Sequence, residues 1–179
     1  RLAAVPMNAR LDEQPSKDPK VKIYAVSIDC AGPRPVTGYL TVPADAKEKS
    51  LPVGASFHGY GTSIQRAPSG GSSSSINFSV NAHGYDLGQS DDYYKAFFES
   101  IKSNGQSYAF DPVQNADPET AYFNGMALRV MRALEYLKSR PEWDGKNLYV
   151  SGGSQGGLQT VWAAGLDADV VKASPGIPW

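Results

Sequence analysis

Two stretches near the start of the chain combine apolar and polar residues, and in the first of them the two kinds alternate. The first stretch, 20–29, places Val21, Ile23 and Ala25 on one face, and the second, 36–43, ends at a proline. A period of two is typical of β-strands, whose successive side chains point to opposite faces. Because only the turn sequence CAGPRP separates the two stretches, we predict an antiparallel pair of strands at a sheet edge.

Two short apolar runs follow, and both end in glycine. They occupy 51–59 and 75–84, lengths that fit buried strands whose carboxyl ends open into glycine-containing loops. The residues between them, 61–75, are dominated by glycine and serine. We predict that this intervening stretch is a flexible surface loop.

Apolar residues recur at helical spacing in the second half of the chain. The clearest helix covers 118–140, and a weaker one covers 91–105 with Gly105 as its C-cap. A strand at 148–153 then passes directly into an apolar helix at 154–166, and a further strand follows. This alternation implies an α/β fold, with a mostly parallel sheet flanked by helices. The stripe of the clearest helix consists of Tyr122, Met126, Val130, Leu134 and Leu137.

A long aromatic segment, 85–117, precedes the clearest helix. A segment of this length is more often functional than accidental. Packing against the core is the expected role of most of its aromatic rings, and the lining of a sugar site is the alternative. The rings belong to Tyr93, Tyr94, Phe97, Phe98, Tyr108 and Phe110.

Composition narrows the classes of function. The 179 residues are 41% hydrophobic and carry a net charge of −1, which suits one domain with a packed core. No cluster of lysine and arginine indicates nucleic-acid binding, and no apolar run approaches the roughly 18 residues of a membrane span. The one cysteine, Cys30, excludes an internal disulfide and a cysteine-based zinc site within one chain. We predict no metal, no nucleic-acid partner and no membrane span.

The N-terminal residues are assigned from their polarity. Residues 11–20 are polar and contain two prolines, which indicates a linker. We therefore divide the chain into an N-terminal segment or linker at 1–19 and the N-terminal portion of a folded domain at 20–179. The sequence opens on Arg1 and shows no signal-peptide pattern, so we expect the natural chain to start elsewhere.

The motif G-x-S-x-G appears at 152–156, between the strand and the apolar helix. A nucleophile on such a turn occupies strained backbone, small neighbours relieve the steric clash, and its hydroxyl projects above the carboxyl edge of the sheet. The sequence therefore predicts Ser154 as a nucleophile. A glycine-rich turn that only allows close packing is the alternative. A phosphate-binding loop is disfavoured because the turn lacks the Gly-Lys-Ser/Thr ending.

A second glycine loop, FHGYG at 57–61, ends an earlier strand. In α/β-hydrolases one oxyanion donor follows the nucleophile and the other comes from such a loop. We assign the backbone N–H groups of Gln155 and Tyr60 to these two positions. His58 and His83 both precede the nucleophile, whereas the base of an α/β-hydrolase follows it. We therefore interpret both histidines as support for the loops or the pocket wall.

Several motifs together resemble the acetyl xylan esterase/cephalosporin C deacetylase group, carbohydrate esterase family 7. They are GYLTVPA, FHGYG, SVNAHGYD and, above all, GGSQGG, since the nucleophile turn of that family reads G-x-S-Q-G-G. The resemblance runs from about Val21 to Trp179. It implies an α/β-hydrolase that removes acetyl groups from sugars without a cofactor, with Ser154 as the nucleophile and the Tyr60 and Gln155 amides as oxyanion donors.

The chain departs from the family pattern in two respects. His83-Gly84-Tyr85 replaces an Arg-Gly-Gln triplet, so the steadying role of that arginine is not carried over, and Tyr85 joins the residues expected to support the pocket. The acid and histidine of the family lie downstream of the nucleophile, where this chain offers only Asp167 and Asp169, both too early for the triad acid. We expect the chain to be the N-terminal part of a hydrolase and inactive alone.

These expectations define the partners and the rival functions. The partners are an acetylated sugar or oligosaccharide and the remaining part of the same hydrolase, or another copy of the chain. The alternatives are a general esterase or prolyl-peptidase-like hydrolase, and a non-catalytic carbohydrate-binding or scaffold fragment. Export to the periplasm or the extracellular medium suits polysaccharide breakdown, and a cytoplasmic location stays open.

Overall fold

The computed structural model describes residues 1–178, which form one mixed seven-stranded sheet with helices. The strands are β1 (Arg10–Gln14), β2 (Val21–Ile28), β3 (Val36–Pro43), β4 (Leu51–Phe57), β5 (Ile76–Val80), β6 (Trp143–Gly153) and β7 (Val170–Gly176). The helices are α1 (Asp91–Ser100), α2 (Pro112–Asn115), α3 (Tyr122–Ser139) and α4 (Gln155–Leu166), preceded by a 3₁₀ turn at Leu2–Ala4.

The strands lie in the order β1-β2-β3-β5-β4-β6-β7. Strand β2 pairs antiparallel with β1 and β3, and β3 pairs antiparallel with β5. Strand β4 pairs parallel with β5 and β6, and β6 pairs parallel with β7. The mostly parallel α/β sheet expected from the sequence is confirmed. The carboxyl ends of β4, β5 and β6 therefore meet at one edge, where parallel sheets of this kind hold their ligand sites.

Helices α3 and α4 pack on one face of the sheet. The predicted stripe of α3 is buried, and Met126, Leu134 and Leu137 have no exposed surface. Val130, Leu134 and Leu137 meet the inward-facing residues of β4, β5 and β6 in the main core. A second apolar cluster joins the start of α3 to the segment that precedes it; its buried members are Ala82, Ile101, Tyr108, Tyr122 and Met126.

The linker predicted over 11–20 is wrong for its first half. Arg10–Gln14 forms β1 and pairs antiparallel with β2, with Arg10 opposite Ser27. The first four residues of β1 are exposed and the last is half-buried. The strand consequently lacks the apolar alternation that identifies a half-buried strand, and nothing in its composition signals it.

The ends of three other elements differ from the predicted ones. Helix α1 ends at Ser100 with Ile101 as its C-cap, so Gly105 is not the C-cap; it has φ of +73° in a tight turn bridged by Ser103 and Gln106. Helix α3 begins at Tyr122, after the turn that contains Pro118. β6 begins at Trp143, five residues before the strand predicted at 148–153.

Candidate active site

Ser154 stands between the last residue of β6 and the first residue of α4. Its backbone has φ of 54° and ψ of −122°, a conformation that is strained for any residue with a Cβ atom. The Ser154 N–H donates to the Gly176 carbonyl at 2.8 Å, which ties the turn to β7. The Ser154 residue is exposed, so its hydroxyl is accessible at the carboxyl edge of the sheet.

The glycines of this turn are required by close backbone contacts. A Cβ atom on Gly156 would lie 2.1 Å from the Phe57 carbonyl oxygen, and one on Gly152 would lie 2.5 Å from the Gly156 oxygen. A methyl group fits at neither position without moving the main chain. These glycines therefore bring the end of β4 against the serine turn.

Replacing Gly156 by alanine is expected to destabilise the protein by about 3 kcal/mol or more, the upper end of the usual cost of overpacking. The clashing atoms belong to the backbone of β4, so no side chain can rotate away. Gly165→Ala in the same helix is the matched control, because a Cβ atom there meets nothing within 4 Å; it should stabilise by about 0.5–1 kcal/mol. Urea unfolding measures both, and equal effects of the two substitutions would contradict this packing.

Two backbone donors border Ser154. Helix α4 begins at Gln155, and the first N–H groups of a helix have no acceptor within the helix. The loop after β4 approaches from the other side, since a Cβ atom on Gly59 would lie 3.7 Å from Ser154 Cβ. Within residues 1–178, the Tyr60 N–H makes no hydrogen bond to another protein group. The two amides predicted from the sequence therefore lie in segments that adjoin the serine.

His58 fastens the loop after β4 to the loop after β5. Its Nε2 accepts from the Ala82 N–H at 3.0 Å, and its Nδ1 lies 2.9 Å from the Gly59 carbonyl oxygen. Both contacts are hydrogen bonds only when the proton is on Nδ1. Burial lowers the pKa of His58, which favours this neutral form.

His83 is fully buried and holds the loop after β4 at Gly61. Its Nε2 lies 2.9 Å from the Gly61 carbonyl oxygen, and its Nδ1 lies 2.7 Å from the Tyr122 hydroxyl. The proton is therefore on Nε2, and Nδ1 accepts from Tyr122. Burial lowers the pKa of His83 to about 3. Since all four imidazole nitrogens are engaged elsewhere, neither His58 nor His83 offers a free lone pair to Ser154.

Tyr85 supports the far end of this loop. Its hydroxyl accepts from the Gln65 N–H at 2.7 Å and lies 3.3 Å from the Ser63 carbonyl oxygen. Its own carbonyl accepts from the Thr37 hydroxyl of β3 at 2.7 Å. The side chains of His58, His83 and Tyr85 therefore hold successive parts of the loop that carries Tyr60.

Two arginines hold the loop after β5, and neither was predicted from the sequence. Arg129, which is 1% exposed, donates from Nε and Nη2 to the Ala82 carbonyl oxygen at 3.0 and 2.8 Å. Arg34 Nε donates to the His83 carbonyl oxygen at 2.7 Å. Burial lowers the pKa of Arg129 to about 10, so the side chain remains charged at neutral pH. Its place beside Val130, on the buried face of α3, was the signal that could have found it.

Tyr108 contacts both segments that border the serine. Its hydroxyl accepts from the Gly61 N–H at 3.0 Å and lies 3.3 Å from Gln155 Oε1. Its ring stacks on the ring of Tyr60 at 4.6 Å between centroids. Of the aromatic rings of segment 85–117, Tyr85, Tyr94 and Tyr108 are buried, whereas Phe110 is 50% exposed and lies edge-on to Tyr60.

Asp167 and Asp169 are engaged in ion pairs. Both carboxylates accept from Lys138 Nζ, at 2.8 Å each for the shortest contact. These pairs fasten the connection between α4 and β7 to the last turn of α3. Among the residues that the structure describes, no three His, Cys, Asp or Glu side chains cluster as metal ligands would. None of the described helices combines the length and the apolar character that crossing a membrane requires.

Comparison with known proteins agrees with this geometry. Residues 1–179 match the family model described as acetyl xylan esterase (AXE1). The chain belongs to the acetyl xylan esterase (AXE1) family. Acetyl esterase Axe7A of Xylanibacter ruminicola is 30% identical over 152 residues, covering 82% of this chain and 33% of that protein. The α/β-hydrolase fold expected from the sequence is confirmed by solved esterase structures.

Two solved structures show the extent of the likeness. The acetyl xylan esterase from Paenibacillus sp. R4 superposes with a TM-score of 0.80 at 27% identity, covering 99% of this chain and 55% of that one. Acetyl xylan esterase 1 from Thermoanaerobacterium sp. JW/SL YS485 gives 0.73 at 18% identity, covering 94% and 52%. The chain therefore spans about half the length of these structures and a third of the curated relative.

Proposed function

We propose that this chain is the nucleophile-bearing part of a serine esterase that removes acetyl groups from carbohydrates. The observation that carries the proposal is the strained, exposed Ser154, which adjoins the first N–H groups of α4 and the loop of Tyr60, whose N–H makes no hydrogen bond to protein within residues 1–178. A strained residue at such a turn is typical of a nucleophile, because it presents the hydroxyl at the edge of the sheet. Membership of the acetyl xylan esterase family supports the choice of ester over other acyl substrates.

The proposed reaction is acyl transfer in two steps. Ser154 Oγ attacks the carbonyl carbon of the acetyl ester while a histidine takes its proton, and the sugar hydroxyl then leaves with that proton. Water hydrolyses the resulting acetyl-serine and releases acetate. The Tyr60 and Gln155 N–H groups stabilise the negative charge on the oxygen in both tetrahedral intermediates, a contribution of about a hundredfold or more in rate for each donor. No step requires a metal or an organic cofactor.

We place the histidine and the acid of the triad outside this chain, in the remaining part of the full-length hydrolase or in a partner copy. Both imidazoles of the chain are occupied by structural hydrogen bonds, and Asp167 and Asp169 pair with Lys138. Among the described residues no strand pairs with the outer edge of β7, and Val171 there is 58% exposed. An uncovered edge strand beside an apolar helix favours docking of further structure.

The proposed substrate is an acetylated sugar or oligosaccharide. Tyr60 and Phe110 expose aromatic rings next to the serine turn, with their centroids 6.0 Å apart and their planes perpendicular. Aromatic side chains with few polar groups commonly line small-molecule sites. The apolar face of a sugar ring fits such a surface while its acetyl group reaches the serine.

Acetate release from acetylated xylo-oligosaccharides by the full-length protein tests this function. The comparison substrates are a methyl ester of glucuronic acid and a prolyl peptide anilide, because glucuronoyl esterase and prolyl endopeptidase structures share only the fold with this chain. We expect turnover of the acetylated sugar with little or none of the other two. Cleavage of the peptide or of the glucuronate ester alone would assign the chain to another hydrolase class.

A further inference from the structure

We propose that Tyr108 is a positioning residue that fixes the distance between the two oxyanion donors through its hydroxyl group. The inference rests on the proposed function, since it assigns a role to a residue that supports the Tyr60 and Gln155 amides. It replaces the interpretation of Tyr108 as simple core packing.

The hydroxyl of Tyr108 connects two segments that are far apart in the chain. It accepts a hydrogen bond from the Gly61 N–H at 3.0 Å, directly after Tyr60, and donates toward Gln155 Oε1 at 3.3 Å. A phenol has one proton and accepts through its oxygen, so both contacts are made at once with the polarity that each requires. One oxygen atom therefore joins the loop after β4 to the first residue of α4.

The Gln155 side chain depends on this contact. Gln155 has no exposed surface, and its Nε2 has no hydrogen-bond partner within residues 1–178. In the described part of the chain, the Tyr108 hydroxyl is accordingly the one hydrogen-bond partner of the Gln155 side-chain amide. Removal of the hydroxyl would leave the side-chain amide of Gln155 without a protein partner, and a buried polar group in that state is destabilising. The start of α4 would shift to find another partner.

The surroundings hold the Tyr108 ring rigidly. Tyr108 is 3% exposed, and its ring stacks on Tyr60 at 4.6 Å and meets His83 edge-on at 4.8 Å. Burial raises the pKa of Tyr108 to about 12, so the hydroxyl keeps its proton at every pH where an esterase works. A rigid neutral donor and acceptor of this kind preserves the geometry that oxyanion stabilisation needs.

Tyr108→Phe isolates the hydroxyl because the ring and its stacking remain. In the full-length protein we expect kcat for p-nitrophenyl acetate to fall about 10- to 100-fold, since a shift of about 1 Å in a reacting group can cost a hundredfold. KM should change less than about threefold, because the lost stabilisation belongs to the transition state. A structural role alone would lower the melting temperature and leave the kcat of the folded protein unchanged.

Tyr94→Phe is the matched control. Tyr94 is equally buried, and its hydroxyl likewise joins two backbone groups, the Gln89 N–H and the Asp86 carbonyl, away from the serine turn. We expect this variant to keep its kcat. A second variant, Gln155→Met, removes the acceptor but retains the backbone N–H; combined with Tyr108→Phe, it should lower kcat by less than the product of the two single effects.

The outcomes separate this proposal from the proposed function. A Tyr108→Phe protein that keeps kcat within twofold, or that loses no more than Tyr94→Phe, overturns the positioning role while the esterase stands. The positioning role is also overturned if the double variant lowers kcat by the full product of the separate Tyr108→Phe and Gln155→Met effects. Ser154→Ala, measured in parallel, overturns the function itself and the inference with it if ester turnover persists.

Discussion

Replacing Ser154 by alanine in the full-length protein is expected to lower ester turnover at least about a thousandfold, to the level left by substrate binding and the oxyanion donors. The substitution removes the nucleophilic oxygen, and no other group at the turn can form the acetyl-enzyme. Burst and steady-state measurements with p-nitrophenyl acetate should both lose the signal, while the affinity for a non-hydrolysable sugar ligand should hardly change.

Ser151→Ala is the appropriate control for this variant. Ser151 is an exposed serine of β6, three residues before Ser154, and lies within the regular strand rather than on the turn. We expect the control to retain full activity. The Ser154→Ala variant keeps a Cβ atom in the same positive-φ backbone, so it removes the hydroxyl without relieving the backbone strain. A Ser154→Ala protein that retains a tenth or more of the activity would exclude Ser154 as the nucleophile.

Acidification below pH 6.5 is expected to destabilise the native structure through His83. An unfolded histidine takes up a proton near its usual pKa of 6.5, whereas burial keeps the native His83 neutral down to a pKa of about 3. The stability is therefore fully present above pH 6.5 and is lost as the pH falls toward 3. The loss approaches about 1.4 kcal/mol per pH unit and totals about 5 kcal/mol.

The physical reason is the set of hydrogen bonds around the ring. A protonated Nδ1 could no longer accept from the Tyr122 hydroxyl, and Arg34 and Arg129 add unfavourable positive charge nearby. The lowered pKa of His58 acts in the same direction. Urea unfolding between pH 7 and 5 avoids the range where carboxylates titrate, and NMR follows the two imidazoles separately. A native His83 that titrates near pH 6.5, or stability that is flat over this range, would contradict the assignment.

The sequence predicted those elements that carry buried apolar residues. Helix α3 has an apolar stripe because one side of it meets the core, and β2 and β3 are rich in apolar residues because both of their faces hold buried side chains. β1 has no buried residue, so its pairing with β2 could not be anticipated from composition. Gly105 was assigned to the wrong turn because a positive-φ glycine fits a tight turn as well as a helix end.

The candidate site likewise contains a residue whose role follows from its neighbours in the chain and a residue whose role follows from distant contacts. Ser154 was predictable because the steric requirements of its turn involve Gly152 and Gly156, its neighbours in the chain. Tyr108 was not, because its role depends on contacts with Gly61 and Gln155 that only the fold creates. This chain has His83-Gly84-Tyr85 where the family pattern has Arg-Gly-Gln. The backbone carbonyls at Ala82 and His83 are held instead by Arg129 and Arg34, which come from other parts of the chain.

Labelling of the full-length protein with a fluorophosphonate, followed by peptide mass mapping, tests whether Ser154 is the activated nucleophile. The reagent reacts with a serine that is activated by a base and faces an oxyanion hole. We expect a single adduct on Ser154, formed in step with the loss of acetate release from acetylated xylo-oligosaccharides. An active esterase with its adduct on another serine, or with none, would contradict it.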